Sequence, residues 1–476
     1  MALAHPTIVG KQLVKEMITR DENHPSIIFW SNGNEGGFNY GLEPDFAFWD
    51  KQKRVVLYPW ANRNGFETKH YRSYGETQEY MRQKEIFMPT EFLHGLYDGG
   101  HGAGLKDYWD MMMANPRCAG GFLWDLMDQG VVRTDKNNYV DCMGNFGADG
   151  IVGPHAEKEG SYYTIKEVWC PVQLTWNDVE KGELTLSNQY NFVNLKDCRF
   201  SYRLLQMPAM GSTQVKVLKQ GNLSSPDVAP GKEAQVKIPM MANADAVEIK
   251  AVNHEGEEIM TWSRGVKSEE RRVKNSSAPS TSSAAYADQA DAVEVKAGGR
   301  TYRFAKKDGR LMGVEVGSKA ISLSNGPRFM AARRSDRSLD QFYNHDDKEA
   351  EKKKTLYTEF VDQGAFAGFE WKEAEAKLVA TYQHGSLDEV DWQFLSDGSV
   401  AVTCHYNFGG VVDMMGMAFD YPESKVRSKA WVGNGPYRVW QNREQGPQYG
   451  YWQNDYNDPI PAESWDYPEF KATLPT

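Results

Sequence analysis

Apolar positions recur along the first third of the chain at two alternating spacings. Gly10 to Arg20 (GKQLVKEMITR) carries Leu13, Val14, Met17 and Ile18 at helical intervals. Asp21-Glu22-Asn23-His24-Pro25 ends that pattern, because proline cannot continue a helix. Ser26 to Trp30 (SIIFW) then reads as a short, fully buried strand, and Arg54 to Pro59, Ile86 to Thr90 and Gly121 to Trp124 repeat the design. Helical stretches at Thr77 to Lys84 and Leu105 to Ala114 fall between them. Continuous apolar strands alternating with helices predict a parallel sheet or barrel over residues 1–165.

The helical period then disappears. Glu183-Leu184-Thr185-Leu186, Gln214-Val215-Lys216-Val217 and Ala246-Val247-Glu248-Ile249 alternate with a period of two, which predicts a small antiparallel sandwich over residues 166–266. Residues 267–290 are charged and then rich in Ser, Ala and Pro, the composition of a linker. A second all-β region, 291–476, has strands expected near Thr301 to Phe304, Leu311 to Val316 and Val400 to Tyr406. The fold class is multidomain, α/β plus all-β.

The chain has 476 residues, and its length is compatible with roughly two to four domains. A net charge of −11 argues against a nucleic-acid partner, which calls for a basic face. No run approaches the length of a membrane span, and the first residues (MALAHPTIVGKQLVKEM) lack an apolar signal core, so the compartment stays open. Cys118, Cys142, Cys170, Cys198 and Cys404 are too scattered for a disulfide framework or a zinc knuckle. Aromatic residues make up 12%, with 14 Trp, a content that suits sugar-stacking surfaces as well as plain core packing.

Three motifs carry candidate chemistry. In NHPSIIFWSNGNE an apolar strand delivers Asn34 and Glu35 at its C-terminal end, the end at which an α/β barrel builds its active site. A glutamate beside an aromatic strand can serve as general acid, and its neighbouring Asn can bond a substrate hydroxyl. The same GNE also reads as a turn with a helix-start carboxylate. IFMPTEFLH repeats the design with Glu91, which is otherwise a surface or capping carboxylate. Two glutamates facing each other at about 5 Å perform retaining glycoside hydrolysis. In GGFLWDLMDQG, Trp124 could floor a sugar site and Asp125 or Asp128 could fix hydroxyls. The alternative is a buried Trp with helix-start acids.

Taken together, NHPSIIFWSNGNE, MPTEFLHGLYDGGHGAGLKDYWD and GGFLWDLMDQG resemble the catalytic domain of glycoside hydrolase family 2, the β-galactosidase group. The resemblance implies Glu35 as acid/base, Glu91 as nucleophile, and a retaining β-galactosidase acting on a β-galactoside or oligosaccharide. It implies substrate contacts from Asn34, from His94 and from Tyr71 (in GFETKHYRSY), which would hydrogen-bond the nucleophile. It makes Trp124 an aromatic platform and places Phe146 and Asp149 where the family binds a monovalent cation and the galactose 6-hydroxyl. A β-galactosidase of the group has Asn in place of Asp149. His101 reads as loop structure. Residues 166–266 resemble the family's immunoglobulin-like domain, and Trp431-Val432-Gly433-Asn434-Gly435-Pro436 resembles a motif of its C-terminal supersandwich, which the related β-glucuronidases and β-mannosidases usually lack.

Only five barrel strands are expected, near Ile27, Val55, His70, Ile86 and Phe122; by the resemblance these are strands four to eight of a (β/α) TIM-type barrel. The family's divalent cation, Mg or Ca, takes ligands upstream of Glu35, so that Glu35 alone remains of that set; no organic cofactor is expected. Two readings follow: a glycosidase active when another chain supplies the missing N-terminal half, with a related β-glucuronidase or β-mannosidase as the alternative to a β-galactosidase, or an inactive remnant or carbohydrate-binding β-sandwich protein.

Overall fold

The computed structural model describes residues 6–95, 101–141, 147, 149–209, 211–266, 284–334, 357–359, 363–396, 398–436, 439 and 443–456. The chain forms two compact units, residues 1–267 with 428–475, and residues 268–427.

The first unit opens with α1 (Pro6–Asp21) and β1 (Phe29–Ser31), followed by α2 (Glu43–Trp49) and β2 (Val55–Leu57). A tight hairpin of β3 (Asn62–Arg63) and β4 (Phe66–Glu67), α3 (Tyr74–Tyr80), β5 (Ile86–Phe87) and α4 (Leu105–Met113) continue the β/α alternation. β1 pairs parallel to β2, and β4 pairs parallel to β5. Beyond β5 the parallel order is carried by single bridges, Phe87 to Cys118, Phe92 to Leu123 and Met127 to Val152. The run 121–124 therefore lies where a strand was expected but makes only a bridge: Phe122 N–H bonds Pro89 O and Phe92 N–H bonds Phe122 O, and no longer ladder is assigned.

The expectation of fully buried strands is corrected. Ile28 is 64% exposed, Ile86 40% and Val55 37%. Burial on both faces needs a layer on each side. Helices α1 and α2 cover one side, where Val14, Ile18 and Phe46, with Leu42 just before α2, cluster with Trp30 of β1 and Val56 of β2, while β1 has a strand partner on one edge only among the described residues. The other face borders a cleft of about 560 Å³ that reaches Asn34, Glu91 and Trp124.

A buried polar knot ties β1 to the turn after α2. Asp50, 1% exposed, accepts from Trp30 Nε1 at 3.0 Å, from Arg54 Nη1 at 3.0 Å and from the Arg54 backbone N–H at 2.6 Å. The Arg54 guanidinium also lies over the Trp30 ring, 5.3 Å from its centroid. Burial pushes the Asp50 carboxyl up, but the donors from Arg54, Trp30 and Gln52 outweigh it and hold the group below its ordinary value.

After β6 (Val131–Arg133), β7 (Tyr139–Asp141) and α5 (Gly160–Val168), seven strands form the immunoglobulin-like sandwich. β8 (Val172–Asp178), β9 (Glu183–Asn188) and β12 (Glu233–Lys237) make one sheet. β10 (Arg199–Gln206), β11 (Lys216–Leu223), β13 (Ala246–Val252) and β14 (Glu258–Gly265) make the other. The alternating apolar residues Leu184, Leu186, Phe200, Tyr202, Leu204, Val247, Ile249 and Trp262 meet in the core between them.

The antiparallel pair Ser428–Gly435 and Gln448–Asp455 belongs to this first unit. Ser263 N–H donates to Gln448 Oε1 and Ser263 Oγ to Tyr449 O, both at 2.6 Å, and Val432 and Tyr449 pack on Leu205, Met207 and Ala246. The segment between the two strands reaches α5, where Gly446 N–H donates to Glu167 Oε2 at 2.6 Å and Thr164 Oγ1 to Gln445 O at 2.9 Å.

The second unit is a β-sandwich. One layer runs through Ala292–Ala297, Arg300–Ala305 and Leu311–Val316, the other through Ala365–Lys372, Lys377–Gln383, Leu387–Phe394 and Val400–Tyr406. Val295, Phe304 and Leu311 meet Leu378, Val390, Trp392 and Phe394 between the layers. Ala285–Asp288, within the stretch expected as linker, is a strand on the first layer; Tyr286 stacks on Trp371 at 5.5 Å, which gives it apolar surface to bury. No helix among the described residues is long and apolar enough to cross a membrane.

Candidate active site

Parallel pairing of β4 with β5 matches Phe66 to Ile86 and Glu67 to Phe87. Carried past the strand ends, this register sets His70 against Thr90 and Tyr71 against Glu91. His70 Nε2 lies 2.8 Å from Thr90 Oγ1, and Tyr71 N–H donates to Glu91 O at 3.2 Å. The Tyr71 hydroxyl donates to Glu91 Oε2 through a short hydrogen bond. His70 Nδ1 sits 3.4 Å from Glu35 Oε1 and 3.5 Å from Glu91 Oε2. One ligand atom from each of Glu35, His70 and Glu91 falls within 4.8 Å of the other two. Their settings differ: the Glu91 side chain is 12% exposed and that of Glu35 48%.

Several of these residues hold left-handed backbone: Glu35 (φ 44°), Tyr71 (φ 47°), Leu93 (φ 50°) and His101 (φ 56°). Such conformations cost of order 1 kcal/mol or more for non-glycine residues and gather where a site over-determines them. The turn that presents Glu35 depends on Gly33 (φ 78°), where a Cβ would come 2.4 Å from Gly37 O. Asn34 is exposed and lines the cleft with Glu91 and Trp124.

A second cluster stands beside the pair. Trp124 Nε1 donates to Asp149 Oδ2 at 3.1 Å, Gln129 Nε2 reaches the same oxygen at 3.4 Å, and His94 Nε2 lies 3.5 Å from it. Asp149 is 3% exposed, so this carboxylate faces protein donors. The His94 ring lies 5.6 Å from that of Tyr71, and burial pulls its pKa down against the opposing pull of Asp149 and Glu91. His101 is fully buried and bonds Trp124 O at 2.6 Å; burial pulls its pKa down to about 4, so near pH 7 it is a neutral donor. The close approach of these loops needs Gly95, whose Cβ would fall 2.4 Å from both Asp149 O and His101 Cε1. Phe146 lies outside the described residues.

Two more acids complete the cluster. Burial, followed by repulsion from Asp149, pushes Asp125 up to about 6. Burial pushes Asp128 up to about 7 against the Gly150 N–H bond, with Asp149 and Asp125 adding to the rise. Asp128 Oδ1 accepts that bond at 2.7 Å, and Oδ2 is buried with no hydrogen-bond partner among the described residues. Both folded values exceed the unfolded one, so the stability these groups contribute is present below about pH 4 and is lost as pH rises through about 6 to 7. The thermal midpoint should therefore fall between pH 5 and pH 8. Asp128→Asn should flatten that slope by an amount on the order of 2 kcal/mol, as measured by differential scanning calorimetry across pH.

His70 is the residue to which the sequence attached no role. Its only signal is adjacency to Tyr71, and the strand register is what turns adjacency into contact with both glutamates. Asp125 and Asp128, the candidates for fixing hydroxyls, each have one buried carboxylate oxygen without a hydrogen-bond partner among the described residues.

An α/β-barrel segment that presents paired glutamates at its strand ends, one bonded to a tyrosine, is the architecture of a barrel-type glycoside hydrolase. Two stretches of the chain match known families: residues 7–151 match the glycosyl hydrolases family 2 TIM barrel domain, and residues 184–262 match β-galactosidase domain 4. A β-galactosidase of Pectobacterium atrosepticum is 31% identical over 38% of this chain and 20% of that protein. β-Galactosidases of Oenococcus oeni (22% identical) and Clostridium acetobutylicum (23%) match over 94% and 92% of this chain and over 48% and 51% of their own. The chain thus spans about half the length of those curated relatives. Among solved structures, the exo-chitosanase CsxA of Amycolatopsis orientalis aligns at 10% identity, over 84% of this chain and 54% of that one, with a TM-score of 0.28.

Proposed function

We propose that the chain carries the catalytic pair of a retaining β-galactosidase. The observation that carries this reading is the approach of Glu35 and Glu91 oxygens within 4.8 Å, matching the short carboxyl spacing of retaining rather than inverting glycosidases. In the first step a Glu91 oxygen attacks the anomeric carbon, the glycosidic C–O bond breaks, and Glu35 passes its proton to the departing oxygen. In the second, Glu35 takes a proton from water, the water oxygen bonds the anomeric carbon, and the bond to Glu91 breaks. The Tyr71 hydroxyl holds Glu91 oriented and stabilises its charge before attack. Asn34, His94 and Trp124, with Asp149 behind Trp124, would surround the sugar. Galactose as the sugar rests on the family resemblance and on the names of the relatives.

A β-galactosyl fluoride bearing fluorine at C2 tests the reading, since that substituent slows release of the covalent intermediate. Intact mass should rise by one fluorosugar, and peptide mapping should place it on Glu91. Label on another residue would overturn the assignment. The exposure of Glu35 favours a second reading, in which the chain alone binds sugar and turns over only when another chain encloses that side. Trapping that appears only after addition of a polypeptide supplying upstream barrel strands would select it.

A further inference from the structure

The segment between the strands Ser428–Gly435 and Gln448–Asp455 carries a buried cation that no step of the proposed hydrolysis uses: Arg443 is only 6% exposed. Its guanidinium packs against the loop that precedes α4, next to the histidine bonded to Trp124. We propose that Arg443 is a positioning residue for Trp124. It holds the backbone at Gly102, and through His101 that backbone fixes where the Trp124 ring stands in the cleft. What this does to a sugar rests on the reading above, in which Trp124 faces the substrate.

Three sets of contacts support this. The first seats the segment on α5. Arg443 Nε donates to Thr164 Oγ1 at 3.4 Å, Thr164 Oγ1 donates to Gln445 O at 2.9 Å, and Gly446 N–H donates to Glu167 Oε2 at 2.6 Å. At Gly446 (φ 96°) a Cβ would fall 2.6 Å from Thr164 N, so backbone lies directly on the helix. The second joins the guanidinium to the loop. A Cβ on Gly102 would lie 2.6 Å from Arg443 Nε and 3.0 Å from its Cζ. Gly102 is not among the glycines with left-handed backbone, so the packed guanidinium, not a turn, is what requires glycine there. The third ties the loop to the ring. His101, beside Gly102, holds left-handed backbone (φ 56°), and its Nε2 lies 2.6 Å from Trp124 O, which also accepts from Gly95 N–H at 3.0 Å. Burial above all, with the charge of Arg443 acting in the same direction, keeps this imidazole neutral against the opposing pull of Trp124 O. Trp124 is thus held at both ends, its indole N–H by Asp149 and its carbonyl by a loop that Arg443 braces.

The test is fluorine NMR of the full chain labelled with fluorotryptophan, in which Trp124→Phe identifies the Trp124 resonance. Arg443→Ala should displace that resonance. Gly102→Ala should displace it too, since the added methyl must push the guanidinium aside. In the double variant the two effects should be far from additive, because Arg443→Ala makes room for the methyl. Lys166→Ala, which removes the α5 ion pair with Glu258 at 3.2 Å, should leave the resonance in place. Should Arg443→Ala fail to fold by circular dichroism, Gly102→Ala decides alone. A resonance unmoved in either variant, additive displacements, or an equal displacement in Lys166→Ala overturns the inference. No sugar enters these measurements, so they stand apart from the hydrolytic reading. In a preparation that the fluorosugar labels, Arg443→Ala should raise the sugar concentration for half-maximal labelling of Glu91 at least about tenfold, within the ~100-fold that a misplacement of about 1 Å can cost. The maximal rate should change little, because Tyr71 still holds Glu91. A displaced resonance with unchanged labelling would uphold the positioning of Trp124 by Arg443 and remove Trp124 from the sugar site.

Discussion

Glu91→Gln should lower kcat/KM by about a thousandfold or more in any preparation of this chain that hydrolyses an activated β-galactoside, the scale on which removal of a covalent nucleophile acts. The substitution is nearly isosteric. The Tyr71 hydroxyl keeps an acceptor, and the register that places Tyr71 beside residue 91 is made by backbone. What disappears is the anionic oxygen that attacks the anomeric carbon, so the loss falls on kcat with little change in sugar affinity. Glu35 should behave differently. Glu35→Ala should spare the first step for a dinitrophenyl galactoside, whose leaving group needs no proton, and impair it strongly for an alkyl galactoside. Added azide separates the roles further. In Glu91→Gly it should give the α-galactosyl azide by one inversion, and in Glu35→Ala the β-azide by attack on the intermediate. Unchanged turnover in Glu91→Gln, or exchanged azide products, would reverse the assignments.

Asp50→Ala should destabilise the barrel segment by about 3–5 kcal/mol, the cost of removing one partner from a buried ion pair. The Arg54 side chain is 5% exposed and that of Asp50 1%, so among the described residues the guanidinium would keep only its hydrogen bond to Glu22 O at 2.8 Å. Trp30 Nε1 would lose its acceptor as well. Asp50→Asn should cost less, since its oxygen can still accept. A chain of two units need not unfold in one step, so the measurement is hydrogen exchange at β1 and β2. Faster exchange at Trp30 and Val56, with β13 and β14 unaffected, is expected; uniform protection would refute the local role. Because the folded Asp50 value is depressed, its contribution is present near neutral pH and is lost as pH falls through that value.

Much of this was legible from pattern. The period-two segments at 183–186 and 246–249 lie in β9 and β13, because alternation leaves a strand only one way to bury its apolar side. The helix from 10 to 20 lies inside α1, with Val14 and Ile18 buried, but Leu13 remains 58% exposed. Continuous apolar runs were the weaker guide. SIIFW says that a strand is apolar on both faces and not whether both are covered, and Ile28 turns out exposed. The strand at 285–288 was hidden because Ala and Asp carry little pattern, and Tyr286 finds Trp371 only through tertiary contact.

For the site, the sequence by itself determined which residue types stand at strand ends: Glu35 after SIIFW, Glu91 after IFMPT, Tyr71 within GFETKHYRSY. A short apolar strand followed by a polar turn is a local property, dictated by propensity and patterning. The partnerships were decided by the tertiary structure alone. Setting β4 and β5 in register aligns residues 20 apart, which brings His70 to Thr90 and Tyr71 to Glu91. A slip of one residue would have turned His70 away from both carboxylates. The same holds for Asp149, whose neighbours Trp124 and His94 come from distant segments joined only by loop closure around Gly95. Chemical identity is written along the chain, but the distances that turn two glutamates into a pair, and a histidine into their shared neighbour, arise only when separate strands are packed side by side.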